Sequence, residues 1–365
     1  RPLKILILNL MPIKKPTEVQ LLRLLGDTPL QLDVDFAHTV SRETTHTDRS
    51  YLEQNYLTFD DIKDKRYDGF IITGAPVEKM EYEEVDYWPE MLKYFEWADK
   101  NVFSTLHFCW AAQAGLYRDY GVQKRILPQK LFGIYQYGLQ VPFHPLLRGF
   151  DDRYFIPQSR HTSIDDAKVD ATPELIALSR SKDNGINIIS DKESRRVFVL
   201  GHFEYDLRTL EWEYKRDRDK SLPTKLPANY YPYDDPQERP RFVWCSYAHL
   251  FYHNWLNFVY QETPYSLDDL VPFNVIRFTY KRMKGNFPGG VLMKRFLKWF
   301  LLIVSCLTLG LAAGCGNGTG KAPASSAPSN SKVIRVGMDA AYPPFGFQNT
   351  ETKAYEGFDV DVIRA

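Results

Sequence analysis

The chain has 365 residues, and its 46 Lys and Arg are balanced by 46 Asp and Glu. A zero formal charge excludes a nucleic-acid binder that relies on a basic surplus to neutralise phosphates. An apolar fraction of 44% and a charged fraction of 25% exclude wholesale disorder, and the length suits one large α/β domain with extra material or two smaller domains.

Arg1 rather than Met stands first, and Pro2 leads straight into an apolar run, so a truncated start is expected. Leu3 to Leu10 predicts a strand. Thr17 to Leu25 predicts a helix, with Val19, Leu21, Leu22, Leu24 and Leu25 as its apolar stripe. Leu30 to Phe36 and Tyr67 to Thr73 predict strands, the latter stopped by Gly74-Ala75-Pro76. A helix over Glu83 to Lys100, a strand over Asn101 to Phe108, a helix over Trp110 to Tyr120 and a strand over Arg196 to Leu200 complete the series. Alternation of this kind predicts an α/β fold, a parallel sheet flanked by helices, with its chemistry at the carboxyl ends of the strands.

Three strand ends carry distinctive residues. Cys109 sits between an apolar strand and an Ala-rich helix, the arrangement of a nucleophile elbow with sulfur in place of oxygen. A helix N-terminus favours the reactive thiolate, although the same position also suits a small buried hydrophobe. His202 follows the strand ending at Leu200, and Glu204 lies two residues on. The pair can accept a proton and support the resulting charge, or serve as a structural turn. Thr73-Gly74-Ala75-Pro76 exposes backbone N–H groups, and those of Gly74 and Ala75 with that of Trp110 could form an oxyanion hole. The four cysteines, Cys109, Cys245, Cys306 and Cys315, form no CxxC pair, so neither a zinc knuckle nor a disulfide framework is indicated and no metal is expected.

The character of the chain changes beyond about residue 270. A basic start at Met293-Lys294-Arg295, an apolar run from Trp299 to Ala313 and Gly314-Cys315 together read as a lipoprotein-type signal segment. The run is short for a membrane span, which needs about 20 apolar residues. The expected organisation is therefore a main domain over 1–270, a read-through linker over 271–292, a signal segment over 293–315, a flexible linker over 316–332 and an incomplete domain over 333–365. The C-terminal extension is expected to be disordered or helical. Ala341-Tyr342-Pro343-Pro344-Phe345 and Glu356-Gly357-Phe358-Asp359 resemble the opening of the periplasmic amino-acid-binding proteins of ABC transporters. A signal inside a chain suggests two joined genes, and membrane attachment is expected only through this segment.

The main domain carries Leu8-Asn9-Leu10-Met11-Pro12, Thr73-Gly74-Ala75-Pro76, Ser104 to Trp110, Gly201-His202-Phe203-Glu204-Tyr205-Asp206 and the Tyr/Pro-rich loop Asn229 to Pro236. In this order the motifs resemble the homoserine O-acyltransferases of methionine biosynthesis, a family related to class I glutamine amidotransferases, with a flavodoxin-like fold. The resemblance implies a cytoplasmic, homodimeric enzyme that needs no cofactor and uses acetyl-CoA as co-substrate and L-homoserine as acceptor. It implies ping-pong transfer with Cys109 as acyl carrier, His202 as base and Glu204 as its orienting partner. Lys130, Ser159 and Arg216 fall on the family's substrate-binding positions, and an amino-acid carboxylate needs such cations. Glu78 falls on the position that sets the acyl group, where Glu goes with acetyl and Gly with succinyl. A Glu there narrows the pocket and repels a succinyl carboxylate, so acetyl-CoA is expected. Phe203 stands where the family usually has Pro, which gives this turn more backbone freedom. The alternatives are a homoserine O-succinyltransferase, a glutamine amidotransferase-like Cys hydrolase, or an amino-acid-binding lipoprotein read from the tail.

Overall fold

The computed structural model describes residues 1–41 and 47–273, together with the backbone of three short strands near the C-terminus. The chain divides into two compact units, Arg1–Pro288 and Gly289–Ala365.

The first unit is built on nine strands: β1 (Leu3–Leu8), β2 (Leu32–Ala37), β3 (Tyr67–Ile72), β4 (Val102–Phe108), β5 (Lys124–Leu139), β6 (Arg153–Ile164), β7 (Leu175–Ser181), β8 (Gly185–Asp191) and β9 (Arg196–Val199). They form one sheet in the order β2-β1-β3-β4-β9-β8-β7-β5-β6. From β2 to β9 the neighbours are parallel, and from β9 to β6 every pairing is antiparallel. The strands predicted from apolar runs are those of the parallel half. Both faces of this half are covered, so β3 is buried at all six positions and reads as a continuous apolar run. Of the antiparallel strands, β5 has many side chains that are only partly covered, and β8, though buried at six of its seven positions, carries polar Asn187, Ser190 and Asp191 among its apolar residues. A long run test therefore passes over them.

The helices are α1 (Lys14–Leu25), α2 (Arg49–Asn55), α3 (Phe59–Ile62), α4 (Trp88–Asn101), α5 (Trp110–Tyr120), α6 (Asp166–Asp170), α7 (Thr209–Asp219) and α8 (Cys245–Glu262). In α1 the buried face runs through Thr17, Gln20, Leu21, Leu24 and Leu25, while Val19 and Leu22 are exposed. Spacings of three and four residues decide this, not apolar identity alone. The helix predicted from Glu83 is divided. A 3-10 turn at Tyr82–Glu84 ends before α4, which opens with Pro89 in its first turn, the place a helix accepts a residue with no N–H.

α8 packs on β3 through Trp255, whose indole Nε1 donates to Ser104 Oγ at 3.1 Å. A Cβ on Gly69 would lie 2.7 Å from the Trp255 ring, so this strand position must be glycine for helix and sheet to close.

The second unit contains β10 (Ala341–Tyr342), β11 (Gly346–Gln348) and β12 (Tyr355–Glu356), paired antiparallel. The expected signal segment, the flexible linker and residues 274–292 of the expected read-through linker lie outside the described residues, as does most of the extension expected to be disordered or helical. Among the described residues no helix is long and apolar enough to cross a membrane.

Candidate active site

Register in the parallel half places three loops side by side. Ile72 pairs with His107, and Phe108 pairs with Val199, so the residues following β3, β4 and β9 emerge together at one sheet edge. Cys109 N–H donates to Val199 O at 2.8 Å. Cys109 then turns sharply, with φ 48° and ψ −112°, into α5. A non-glycine residue at positive φ costs on the order of 1–3 kcal/mol and persists only where its surroundings impose it. Here the strand ladder on one side and the helix on the other impose it.

Gly74 closes against this turn. A Cβ on it would lie 3.1 Å from Cys109 Cβ, 3.8 Å from Sγ and 3.8 Å from His202 Cε1. The Cys109 and His202 side chains therefore share one small space beside the Gly74 backbone. Trp110 is the first residue of α5, and its N–H has no intrahelical acceptor; its indole is fully buried.

His202 is positioned from several sides. Its backbone N–H donates to Pro157 O at 2.9 Å. Nδ1 lies 2.6 Å from Glu204 Oε1, and the ring stacks on Tyr205 with centroids 4.2 Å apart and planes at 20°. Burial alone would lower the imidazole pKa, but the charges of Glu204 and Cys109 hold it well above its ordinary value. The Cys109 side chain contributes to this rise through its charge and, to a smaller degree, through a hydrogen bond with the ring. The neighbouring His107 has a different fate. It is buried against Phe198, its Nδ1 is 3.1 Å from Val197 O, and burial lowers its pKa to about 3. It is a neutral core histidine.

Cys109 and His202 open into a cleft of about 340 Å³. Of the residues singled out in the sequence, Gly74, Ala75, Glu78, Lys130, Ser159 and Arg216 line the same cleft. Glu204 sits behind His202, and Trp110 lies behind Cys109. Glu78 is half-buried rather than turned to solvent, and its Oε1 accepts the His161 N–H at 2.9 Å. Burial raises its carboxyl pKa, opposed by that N–H and by Lys130. Lys130 on β5 and Ser159 on β6 reach the cleft from the antiparallel half, and Arg216 reaches it from α7.

The sequence reading did not single out Tyr205, His161, Glu213 or Asp217, all of which line the cleft. Glu213 accepts from Tyr205 Oη at 2.6 Å and from Ser159 Oγ. Asp217 accepts from Lys130 Nζ at 3.1 Å and from Arg216 Nε and Nη2 at 3.0 and 2.7 Å. The charge-rich run Glu211-Trp212-Glu213-Tyr214-Lys215-Arg216-Asp217 reads as a solvated helix face. The one available signal is that Glu213, Arg216 and Asp217 recur at helical spacing on one side.

The site thus brings together a buried thiol, an imidazole, a carboxylate against that imidazole and backbone N–H groups at a helix start, the kinds of groups that covalent acyl transfer requires. A family model described as homoserine O-succinyltransferase matches residues 1–265. A homoserine O-acetyltransferase from Clostridium novyi strain NT is 53% identical over 266 residues, covering 73% of this chain and 88% of that protein. One from Lactococcus lactis subsp. cremoris strain MG1363 is 51% identical, covering 73% and 83%. Among solved structures, a glutamine amidotransferase from Thermotoga maritima aligns with a TM-score of 0.44 at 12% identity, covering 72% of this chain and 97% of that one. On the extent of the family match and the closeness of these relatives, the chain belongs to the homoserine O-succinyltransferase family.

Proposed function

We propose that the protein transfers an acetyl group from acetyl-CoA to the hydroxyl of L-homoserine, with Cys109 as the acyl carrier. The Cys109 sulfur attacks the thioester carbonyl, and the oxyanion is received by backbone N–H groups of Gly74, Ala75 and Trp110. The C–S bond to CoA breaks, and protonated His202 supplies the leaving thiolate with its proton. The homoserine hydroxyl then gives its proton to His202 and attacks the acyl-enzyme, and the Cys109 sulfur leaves. Glu204 holds the ring and supports its charge through both steps. Lys130 and Arg216 take the acceptor carboxylate, and Ser159 lines the same end of the cleft.

The observation that carries this reading is the shared space of Cys109 and His202 at the mouth of a cleft that also holds Lys130 and Arg216. Glu78 favours acetyl over succinyl, because it narrows the cleft and sets a carboxylate where a second one would have to sit. The names of the relatives at about 50% identity agree with acetyl, whereas the family model is described for succinyl. Intact-mass measurement after mixing with acetyl-CoA or succinyl-CoA tests both points at once. An acetyl adduct located on Cys109 supports the reading, and no adduct from either donor overturns it.

A CoA thioester donor implies a cytoplasmic location for the transferase unit. Exposed Ile13, Val19 and Leu22 on and beside α1 supply apolar surface for the proposed homodimer, which sedimentation analysis would test. The tail from Met293 stays a proposed export or attachment signal joined from a neighbouring gene, and one full-length product on a blot would oppose it.

A further inference from the structure

Behind His202 lie two buried oxygen atoms whose hydrogen bonds are unfilled. Glu204 Oε1 takes the imidazole Nδ1 at 2.6 Å. Glu204 Oε2 meets no donor among the described residues, Tyr252 Oη meets no partner there either, and both atoms are shut off from solvent. Tyr252 is fully buried on α8, and its ring stacks on Phe108 with centroids 5.9 Å apart and planes at 10°. Phe108 directly precedes Cys109. The neighbouring Phe251 stacks on Phe203, the residue between His202 and Glu204. α8 therefore packs at 251 and 252 against both turns that carry the reactive groups. Burial first, and the charge of Glu204 second, push the Tyr252 phenol well above its ordinary value, and Arg23 opposes them. Arg23 reaches the same place from α1, where its Nη2 donates to Glu204 O at 3.3 Å. A buried polar atom without a partner costs as much as a lost hydrogen bond or more, so two of them beside one catalytic turn call for a physical account.

We propose that Tyr252 is a positioning residue for the reaction: its hydroxyl donates to one buried water molecule, which in turn donates to Glu204 Oε2. The inference rests on the acyl-transfer reading above and deepens it. The two side chains feel one another's charge but make no direct hydrogen bond, and two polar groups so placed are what a bridging water needs. A single hydrogen bond through Oε1 leaves the Glu204 carboxylate free to turn about that contact. A second one through Oε2 fixes its plane, and with it the direction in which His202 presents Nε2. A donor at Oε2 also favours the ionised carboxylate, the form that supports a protonated His202. The other charged and titratable groups around this pair are Tyr205 from the same turn, Cys109 from the junction of β4 and α5, and Arg23 from α1. None of them bonds to Oε2, so the second tether of the carboxylate falls to Tyr252.

The test is Tyr252→Phe, which removes one oxygen and keeps the ring on Phe108. With acetyl-CoA and L-homoserine, kcat is expected to fall about tenfold, the worth of one hydrogen bond, with KM within about twofold. The acid limb of kcat/KM is expected to move up by about half to one pH unit, because the carboxylate loses a donor that favours its ionised form. The urea midpoint is expected to fall. A hydroxyl with no partner would behave in the opposite way: its removal would raise the midpoint and leave the acid limb in place, and either result overturns the proposal. A high-resolution crystal structure of the wild-type protein needs no variant to fold. A water within about 3.2 Å of both Tyr252 Oη and Glu204 Oε2 supports the proposal, and two oxygens with no water between them overturn it. Acetyl-enzyme formation on wild-type Cys109 separates the two levels. If the adduct forms and Tyr252→Phe keeps the wild-type kcat and acid limb, only this inference falls; if no adduct forms, acyl transfer itself falls and takes the role of Tyr252 with it.

Discussion

Phe203 stacks on Phe251 with ring centroids 4.9 Å apart and planes at 28°, and this contact anchors the turn that carries His202 and Glu204. Sequence alone suggested that Phe in place of Pro would loosen this turn. Instead the side chain is fully buried between Tyr154, Phe150 and Phe251, so packing restrains the backbone in place of a fixed φ. His202 and Glu204 flank the anchored residue in the chain and meet each other at 2.6 Å.

Phe203→Ala should therefore cost stability and alignment together. Truncating a buried Phe costs about 3–5 kcal/mol. Urea unfolding reads the first effect, and kcat measured below the unfolding transition reads the second. A loss under about 1 kcal/mol would show that the turn does not depend on this contact.

Cys109→Ala should abolish the acetyl adduct and lower turnover by at least about 10³-fold, since no other described group can carry the acyl chain through the same steps. The check is intact mass with acetyl-CoA, followed by a steady-state assay for CoA release. Turnover near the wild-type rate would refute the nucleophile.

Gly74→Ala separates catalysis from folding. Its methyl group would press on Cys109 Cβ at 3.1 Å and crowd the space between Sγ and His202. Displacement of this kind is expected to lower kcat about 100-fold, with a much smaller change in melting temperature. Equal activity in the variant would mean that the cysteine has another approach to its substrate.

Glu204→Gln should show a pH signature. His202 has a pKa raised in the fold, despite burial, by Glu204 and Cys109. Its pairing therefore stabilises the protein fully below the unfolded value of about 6.5 and ceases to do so as pH rises through the folded value. The variant should be destabilised by roughly 1–3 kcal/mol in acid, and by less well above neutrality. Denaturant midpoints at about pH 5.5 and about pH 9 decide the sign, and a deficit that grows with pH contradicts it. Activity should fall about 10²- to 10⁴-fold at every pH.

Glu78→Gly should shift donor choice toward succinyl-CoA by removing bulk and a carboxylate from the cleft. The wild-type enzyme should also discriminate less as pH falls, because burial raises the Glu78 pKa and the neutral acid no longer repels succinate. Donor competition at several pH values measures both effects, and a preference that is flat with pH and unchanged in the variant removes Glu78 from the specificity argument.

Local pattern in the chain was enough to indicate the parallel strands, the α/β class and the Cys109 elbow. Strands buried on both faces are apolar throughout, and a strand-to-helix junction marks its own position. The motif order also carried the family, and with it Lys130, Ser159 and Arg216. Tertiary structure decided what no local pattern encodes. The strands from β5 to β8 show no long apolar run, yet β5 and β6 deliver Lys130 and Ser159 to the cleft. The charged face of α7 looks like solvated surface until folding lays Glu213 and Asp217 beside Tyr205, Ser159 and Lys130. Which partners Glu213 and Asp217 meet depends on residues up to 87 positions away in the chain, and only the closed fold determines those distances.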